Sequence, residues 1–236
     1  MSTLSQWHSI YDGRRWRVVP RGIEVSTPQG VEVLRTAGEP LTMRLYVTFW
    51  WPQLVAAAVQ HRVPIALLMM TLGTENGPAR VHGSRLVYPP YRHEPGYVSD
   101  EATPDKVSVG PCHVLISTAR AALGRPTLTR DELADVGTNL LAAAAYIAHQ
   151  REMTGYDPIL VAAAYNAGGL YDSTSHPNPR LRNEWHLRAY DHDGPDGPGE
   201  DHLTRAARWY GDACAVLLEY QTSAGLDREG LGRVVT

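Results

Sequence analysis

One apolar run in the chain ends on a single acid. The stretch "LLMMTLGTENGPAR", residues 67–80, closes its greasy half at Glu75, and Asn76, Gly77 and Pro78 then break the pattern. A carboxyl group at the C-terminal end of a helix opposes the helix dipole. Its upstream neighbours Leu67, Leu68, Met69, Met70 and Leu72 are apolar. Partial burial and the helix end both favour the protonated form, so both are expected to raise its pKa. A carboxylic acid kept protonated near neutrality is what a general acid needs. The competing reading is a solvated glutamate in a last turn. Downstream, Glu94, Asp100, Glu101 and Asp105 share a loop with Tyr97. Any of these acids could hold a water for attack. An ordered loop carrying Tyr97 would form a wall of the cleft.

Other chemistries find less support. Ten histidines show no H-E-x-x-H or similar metal spacing. The acidic stretch "YDHDGPDGPGEDH", residues 190–202, lacks the D-x-[DN]-x-[DN]-G order of a calcium loop. No metal and no cofactor are expected. Cys112 and Cys214 sit among apolar residues and read as buried free thiols. Trp50, Trp51, Trp185 and Trp209 could stack on sugars, although packing is the commoner use of tryptophan. Of 236 residues, 43% are hydrophobic and 20% charged, an ordinary globular composition. A net charge of −3 gives no basic footprint for nucleic acid, and no apolar run approaches the length of a membrane span.

The elements that must position these residues follow from periodicity and punctuation. "RRWRVV", "GIEV" and "VEVLRT", within residues 13–36, alternate with turn residues and predict short hairpin strands. So few strand residues cannot form a core alone, so this arm must pack on the rest or on a partner. From about residue 45, "WPQLVAAAVQH" repeats at helical spacing up to His61. A second helix is predicted to start with Pro64 in its first turn and to be capped by Gly77. Residues 78–109, with five prolines, predict a functional loop or small hairpins. A helix is expected from about Pro111 to Leu123. Thr129 and Glu132 form a T-x-x-E capping box for one carrying Leu133, Val136, Leu140, Ala144 and Ile147 on one face. Asp157–Pro158 opens "ILVAAAYNAGG", which Gly168 and Gly169 stop. A last helix, about Leu203 to Tyr220, aligns Leu203, Ala206, Tyr210, Ala213 and Leu217.

Three blocks in this order carry a family resemblance. The helix ending in Glu75 comes first. "GPCHVLISTAR", residues 110–120, resembles the G-L-M-Q-x-M-x-x-T-A segment of soluble lytic transglycosylases, and "AAYNAGG", residues 163–169, resembles their Y-N-A-G segment. The resemblance spans roughly residues 47–170 and implies a mainly α, lysozyme-like helical domain, to which the strands of residues 13–36 add a small N-terminal β arm. It implies cleavage of the β-1,4 bond between N-acetylmuramic acid and N-acetylglucosamine in peptidoglycan. Glu75 takes the position of the family's catalytic acid, with Asn76 where serine is usual. His113 stands at a substrate-side glutamine, and Pro111 and Cys112 replace Leu and Met. Tyr165 corresponds to the tyrosine that hydrogen-bonds the acid, and Asn166 to an asparagine that contacts substrate. Tyr97 is a further substrate-side candidate from the loop.

The implied division is an arm at residues 1–44, a catalytic domain at 45–225 and a tail at 226–236. The arm is read as an attachment element for tail- or baseplate-type assembly proteins, dispensable for cleavage. The N-terminus shows no secretory h-region, which predicts synthesis in the cytoplasm and delivery to the cell wall by a virion or injection particle. Two alternatives stay open: an inverting muramidase of goose-type lysozyme character, and a structural particle component that keeps the fold.

Overall fold

A computed structural model describes residues 3–10, 14–172, 174–175, 182 and 201–223. In chain order the elements are β1 (Trp16–Val19), β2 (Gly22–Thr27), β3 (Gly30–Val33), α1 (Leu41–His61), α2 (Ile65–Asn76), β4 (Arg80–His82), β5 (Arg85–Val87), β6 (Tyr91–His93), β7 (Val107–Val109), β8 (Val114–Leu115), α3 (Ile116–Leu123), α4 (Arg130–Ala134), α5 (Val136–His149), α6 (Arg151–Thr154), α7 (Pro158–Ala167) and α8 (His202–Ser223). The fold is mainly α with a β region at the N-terminus. Among the described residues, no helix is long and apolar enough to cross a membrane. The tail from residue 226, Trp185, and all of the acidic stretch except Asp201 and His202 lie outside the described residues.

Contacts divide the chain into two compact units, one from residues 1–40 and 150–226, the other from residues 41–149. In the first, β1, β2 and β3 form an antiparallel meander with two-residue turns, Val19 facing Gly22 and Thr27 facing Gly30. β2 is buried from Gly22 to Val25, because α8 packs on it. The packing is close enough to dictate sequence. A Cβ at Gly211 would collide with the Leu34 carbonyl, so α8 can approach only with glycine there. Asp212, fully buried, accepts from Arg35 Nε (3.3 Å), the Thr36 amide (3.3 Å) and the Thr36 hydroxyl. Glu24, buried in the sheet, accepts from Arg17 at 2.6 Å, which holds its carboxyl below the usual range. The predicted face of α8 is inward at every position, from Leu203 to Leu217.

In the second unit, α1 packs on α2 and α5, and α3 packs on α5. α2 is buried from Ile65 to Thr74, which is why its sequence shows no polar face. Within residues 80–115 lie two small antiparallel pieces, the β4–β5 hairpin and the β6–β7–β8 sheet, the hairpin alternative of the sequence reading.

Three predicted boundaries differ. Pro64 is the cap of α2, with ψ 125°, because its extended ψ cannot continue a helix. α3 starts at Ile116, since Val114 and Leu115 pair in β8 and the chain reverses over residues 110–113. The helix opened by the capping box breaks at Asp135, whose Oδ1 accepts from the Thr138 amide at 2.9 Å and caps α5 instead. That local bond competes with helix continuation. The capping box itself is formed, with both reciprocal bonds between Thr129 and Glu132.

Candidate active site

Glu75 lies in the last turn of α2, with its side chain 19% exposed. The turn is closed by Gly77, at φ 68°, whose amide donates to Gly73 O at 3.0 Å. Tyr46, fully buried on α1, reinforces the same turn. Its hydroxyl lies 3.4 Å from Leu72 O and 3.3 Å from Gly77 O, and it accepts from Asn76 Nδ2 at 3.5 Å. Asn76 therefore still serves as a hydrogen-bonding support beside Glu75. Burial pushes the Tyr46 phenol far above its usual range, so it acts as a neutral donor. Sequence reasoning missed Tyr46. Its partner lies 30 residues away, and nothing in the apolar face of α1 marks it.

The structure brings His113 close to Glu75. Its Nδ1 is 3.8 Å from Glu75 Oε2, too long for a direct hydrogen bond. Its Nε2 is buried and has no hydrogen-bond partner among the described residues. Burial, and secondarily the positive charge of Arg92, lower its pKa, against a smaller opposite effect of Glu94. The neutral imidazole is thus the resident form near neutrality. Its backbone is unusual as well: φ is 46°, a left-handed conformation that costs a non-glycine residue about 1 kcal/mol or more.

The reversal that holds His113 in this conformation is built around Asn139 of α5. Asn139 is fully buried. Its Oδ1 accepts from the Cys112 amide (2.9 Å), and its Nδ2 donates to Val109 O (2.8 Å) and Leu133 O (3.3 Å). Gly110, at φ 69°, lies so close that a Cβ there would strike the Asn139 amide. The glycine of the "GPCH" block therefore serves close approach in a turn, and Pro111 and Cys112 belong to that turn. Asn139→Ala leaves buried main-chain groups without partners and is expected to cost about 3 kcal/mol. Urea denaturation checks this; a loss below 1 kcal/mol would mean that water replaces the amide.

Tyr97 sits in a separate cluster in the same unit. Arg130, the first residue of α4, donates from Nη2 to the Tyr97 hydroxyl (2.7 Å) and grips Asp100 through Nη2 (2.8 Å) and Nε (3.2 Å). Tyr97 also stacks on His93, with ring centroids 4.1 Å apart. This clamp orders the loop, and its key member, Arg130, was not foreseen. Asp100 is held by a guanidinium, while Glu101 and Asp105 are exposed. Glu94 lies 3.7 Å from Arg92.

Tyr165 and Asn166 belong to the other unit, half-buried in the last turn of α7. Asn166 Nδ2 is buried without a hydrogen-bond partner among the described residues. α7 starts as predicted: Asp157 Oδ1 accepts from the Ile159 amide (2.8 Å) and the Leu160 amide (3.3 Å), with Pro158 in the first turn. Gly168 ends it in the left-handed conformation. Trp50 and Trp209 are packed inside, Trp50 against Tyr46 and Tyr88. Cys112 and Cys214 are buried thiols outside any disulfide; burial raises both, that of Cys214 to about 12.

Comparison with known families gives a match to the family described as "Transglycosylase SLT domain", over residues 94–186. The matched segment holds Tyr97, His113, Tyr165 and Asn166 and covers less than half of the chain; Glu75 precedes it. Comparison with curated proteins and with solved structures gives no match. Residues 94–186 carry a transglycosylase SLT domain match, in agreement with the lytic-transglycosylase resemblance of the sequence motifs.

Proposed function

We propose that the chain is a peptidoglycan lytic transglycosylase that cleaves the MurNAc-β-1,4-GlcNAc bond. The observation that carries this reading is the family match over residues 94–186, together with its order after the helix that ends in Glu75. Glu75 protonates the glycosidic oxygen as the C1–O bond breaks. The carbonyl oxygen of the substrate's own N-acetyl group bonds C1 and stabilises the cationic centre. The Glu75 carboxylate then takes the proton from the C6 hydroxyl, and O6 displaces the acetyl oxygen at C1. The product carries a 1,6-anhydro ring, no water is consumed, and Glu75 ends protonated as it began. No second carboxylate is needed, which suits a loop whose Asp100 is already held by Arg130. His113, Tyr165 and Asn166 serve as substrate-side groups. The unpartnered nitrogens of His113 and Asn166 support this role, because buried polar atoms of a folded chain are normally satisfied. Peptidoglycan as substrate puts the activity at the cell wall.

Mass spectrometry of digested peptidoglycan tests the reading. Muropeptides ending in 1,6-anhydro rings are expected. Reducing ends made with incorporation of labelled water would instead identify a muramidase, and an undigested wall would leave only a structural role.

The pH profile tests His113. With its pKa lowered by burial, the neutral form persists below pH about 6.5, where an ordinary histidine is half protonated. Activity is expected to fall on the acid side only below that value, as the imidazolium forms beside Glu75. Stability follows the same sign. The unfolded chain binds the proton more readily, so the His113 contribution is present above pH about 6.5 and is lost as pH falls through the lowered folded value. His113→Gln is expected to keep activity and flatten the acid limb. An unchanged limb would assign it to another group.

A further inference from the structure

Within their own compact unit, the N-terminal strands are tied to the start of α7. Trp16, fully buried in β1, donates from Nε1 to Asp157 Oδ2 at 2.8 Å. Asp157, also fully buried, uses its other oxygen to cap α7. His8 completes the contact. Its backbone pairs with Trp16 in both directions (3.0 and 2.9 Å), and its ring meets the indole edge-on at 4.7 Å. Its Nε2 lies 3.2 Å from Asp157 Oδ2, without hydrogen-bond alignment. The other end of α7 is tied too: Gln150, buried, donates from Nε2 to Ala164 O at 3.0 Å, one residue before Tyr165.

We propose that Trp16, acting through Asp157, is a positioning residue for Tyr165 and Asn166, so that the N-terminal strands set substrate binding from a distance. The inference rests on the functional reading above. α7 is a rigid rod of ten residues, fixed at its start by the indole–carboxylate bond and near its end by Gln150. Loss of the first tie allows the rod to tilt or slide. Its last turn, where Tyr165 and Asn166 stand, then moves relative to the rest of its unit. Small misplacements of binding groups by remote changes are known to be costly.

The test uses the full chain and soluble glycan strands, well below the unfolding temperature. Trp16→Phe keeps an aromatic ring and removes the N–H. Asp157→Asn keeps an acceptor for the cap and disturbs the bond from Trp16. Ile23→Val, a buried change in β2 that leaves this bond intact, controls for lost stability alone. Both positioning variants are expected to raise KM about tenfold with kcat within about twofold, while Ile23→Val leaves KM unchanged. An unchanged KM in the folded variants overturns the inference. So does an equal rise in Ile23→Val, which would make the effect one of general stability. If both positioning variants fail to fold, the tie is purely structural and the inference also falls. A wild-type chain that does not cleave peptidoglycan removes the functional reading itself, and that result appears in the control before any variant is compared.

Discussion

Glu75→Gln is expected to fold like the parent chain and to lose at least about two orders of magnitude in turnover, the scale at which general acid–base groups act. The amide keeps the shape of the side chain. α2 is anchored by burial from Ile65 to Thr74 and by Tyr46 at its end, none of which needs a carboxyl group. Stability is therefore expected to change little. The loss is chemical: an amide can neither protonate the glycosidic oxygen nor take the C6 proton. Because both steps use the same group, kcat is expected to fall while KM stays near its parent value. Equal thermal unfolding temperatures and a release assay on purified walls check the two halves. A variant with near-parental turnover would remove Glu75 from the chemistry and return the loop acids to consideration.

The features that the sequence made legible are those governed by local rules. Asp157–Pro158 and the Thr129–Glu132 box are read from a few adjacent residues, and both act as caps. The strand and helix content of the arm and of α8 follows from turn residues and periodicity, and the mainly α fold class follows from the motifs. What could not be read depends on partners far along the chain. The turn at residues 110–113 looks like a helix start until Asn139 is known to reach it from α5. The break at Asp135 comes from one side-chain bond that competes with a good apolar face. Arg130 and Tyr46 matter through partners 30 or more residues away. What singles out Glu75 in the sequence is local, an acid ending an apolar run, and its place in the last turn of α2 follows from that pattern.

The N-terminal arm yields the second strong expectation. Read from sequence, residues 1–44 attach the enzyme to a partner and can be removed. In the structure, residues 1–40 share a compact unit with α6, α7 and α8. Trp16 and Ile23 are fully buried there, with Val25 and Leu34 nearly so. Burying one tryptophan is worth about 3–5 kcal/mol against its removal. Removing the arm also strips Asp157 of Trp16 and Asp212 of Arg35 and Thr36. Asp157 then keeps only the amides of α7, and Asp212 loses its bonds from Arg35 and Thr36; breaking a buried ion pair costs about 3–5 kcal/mol when the remaining group stays buried. A domain has about 5–15 kcal/mol in total. The losses therefore reach the whole stability of the unit, and a chain beginning at Leu41 is expected to lose the packing of α6, α7 and α8 together with cleavage. Near-UV circular dichroism, limited proteolysis across α7 and α8, and wall digestion measure these effects side by side. The graded form of the test is Gly211→Leu, which forces a side chain into the Leu34 carbonyl while leaving every residue of the arm in place. It is expected to reproduce the proteolytic sensitivity of the truncation. A truncated chain that stays folded and digests peptidoglycan would show that the arm only rests on α8, and would restore attachment to a partner as its use.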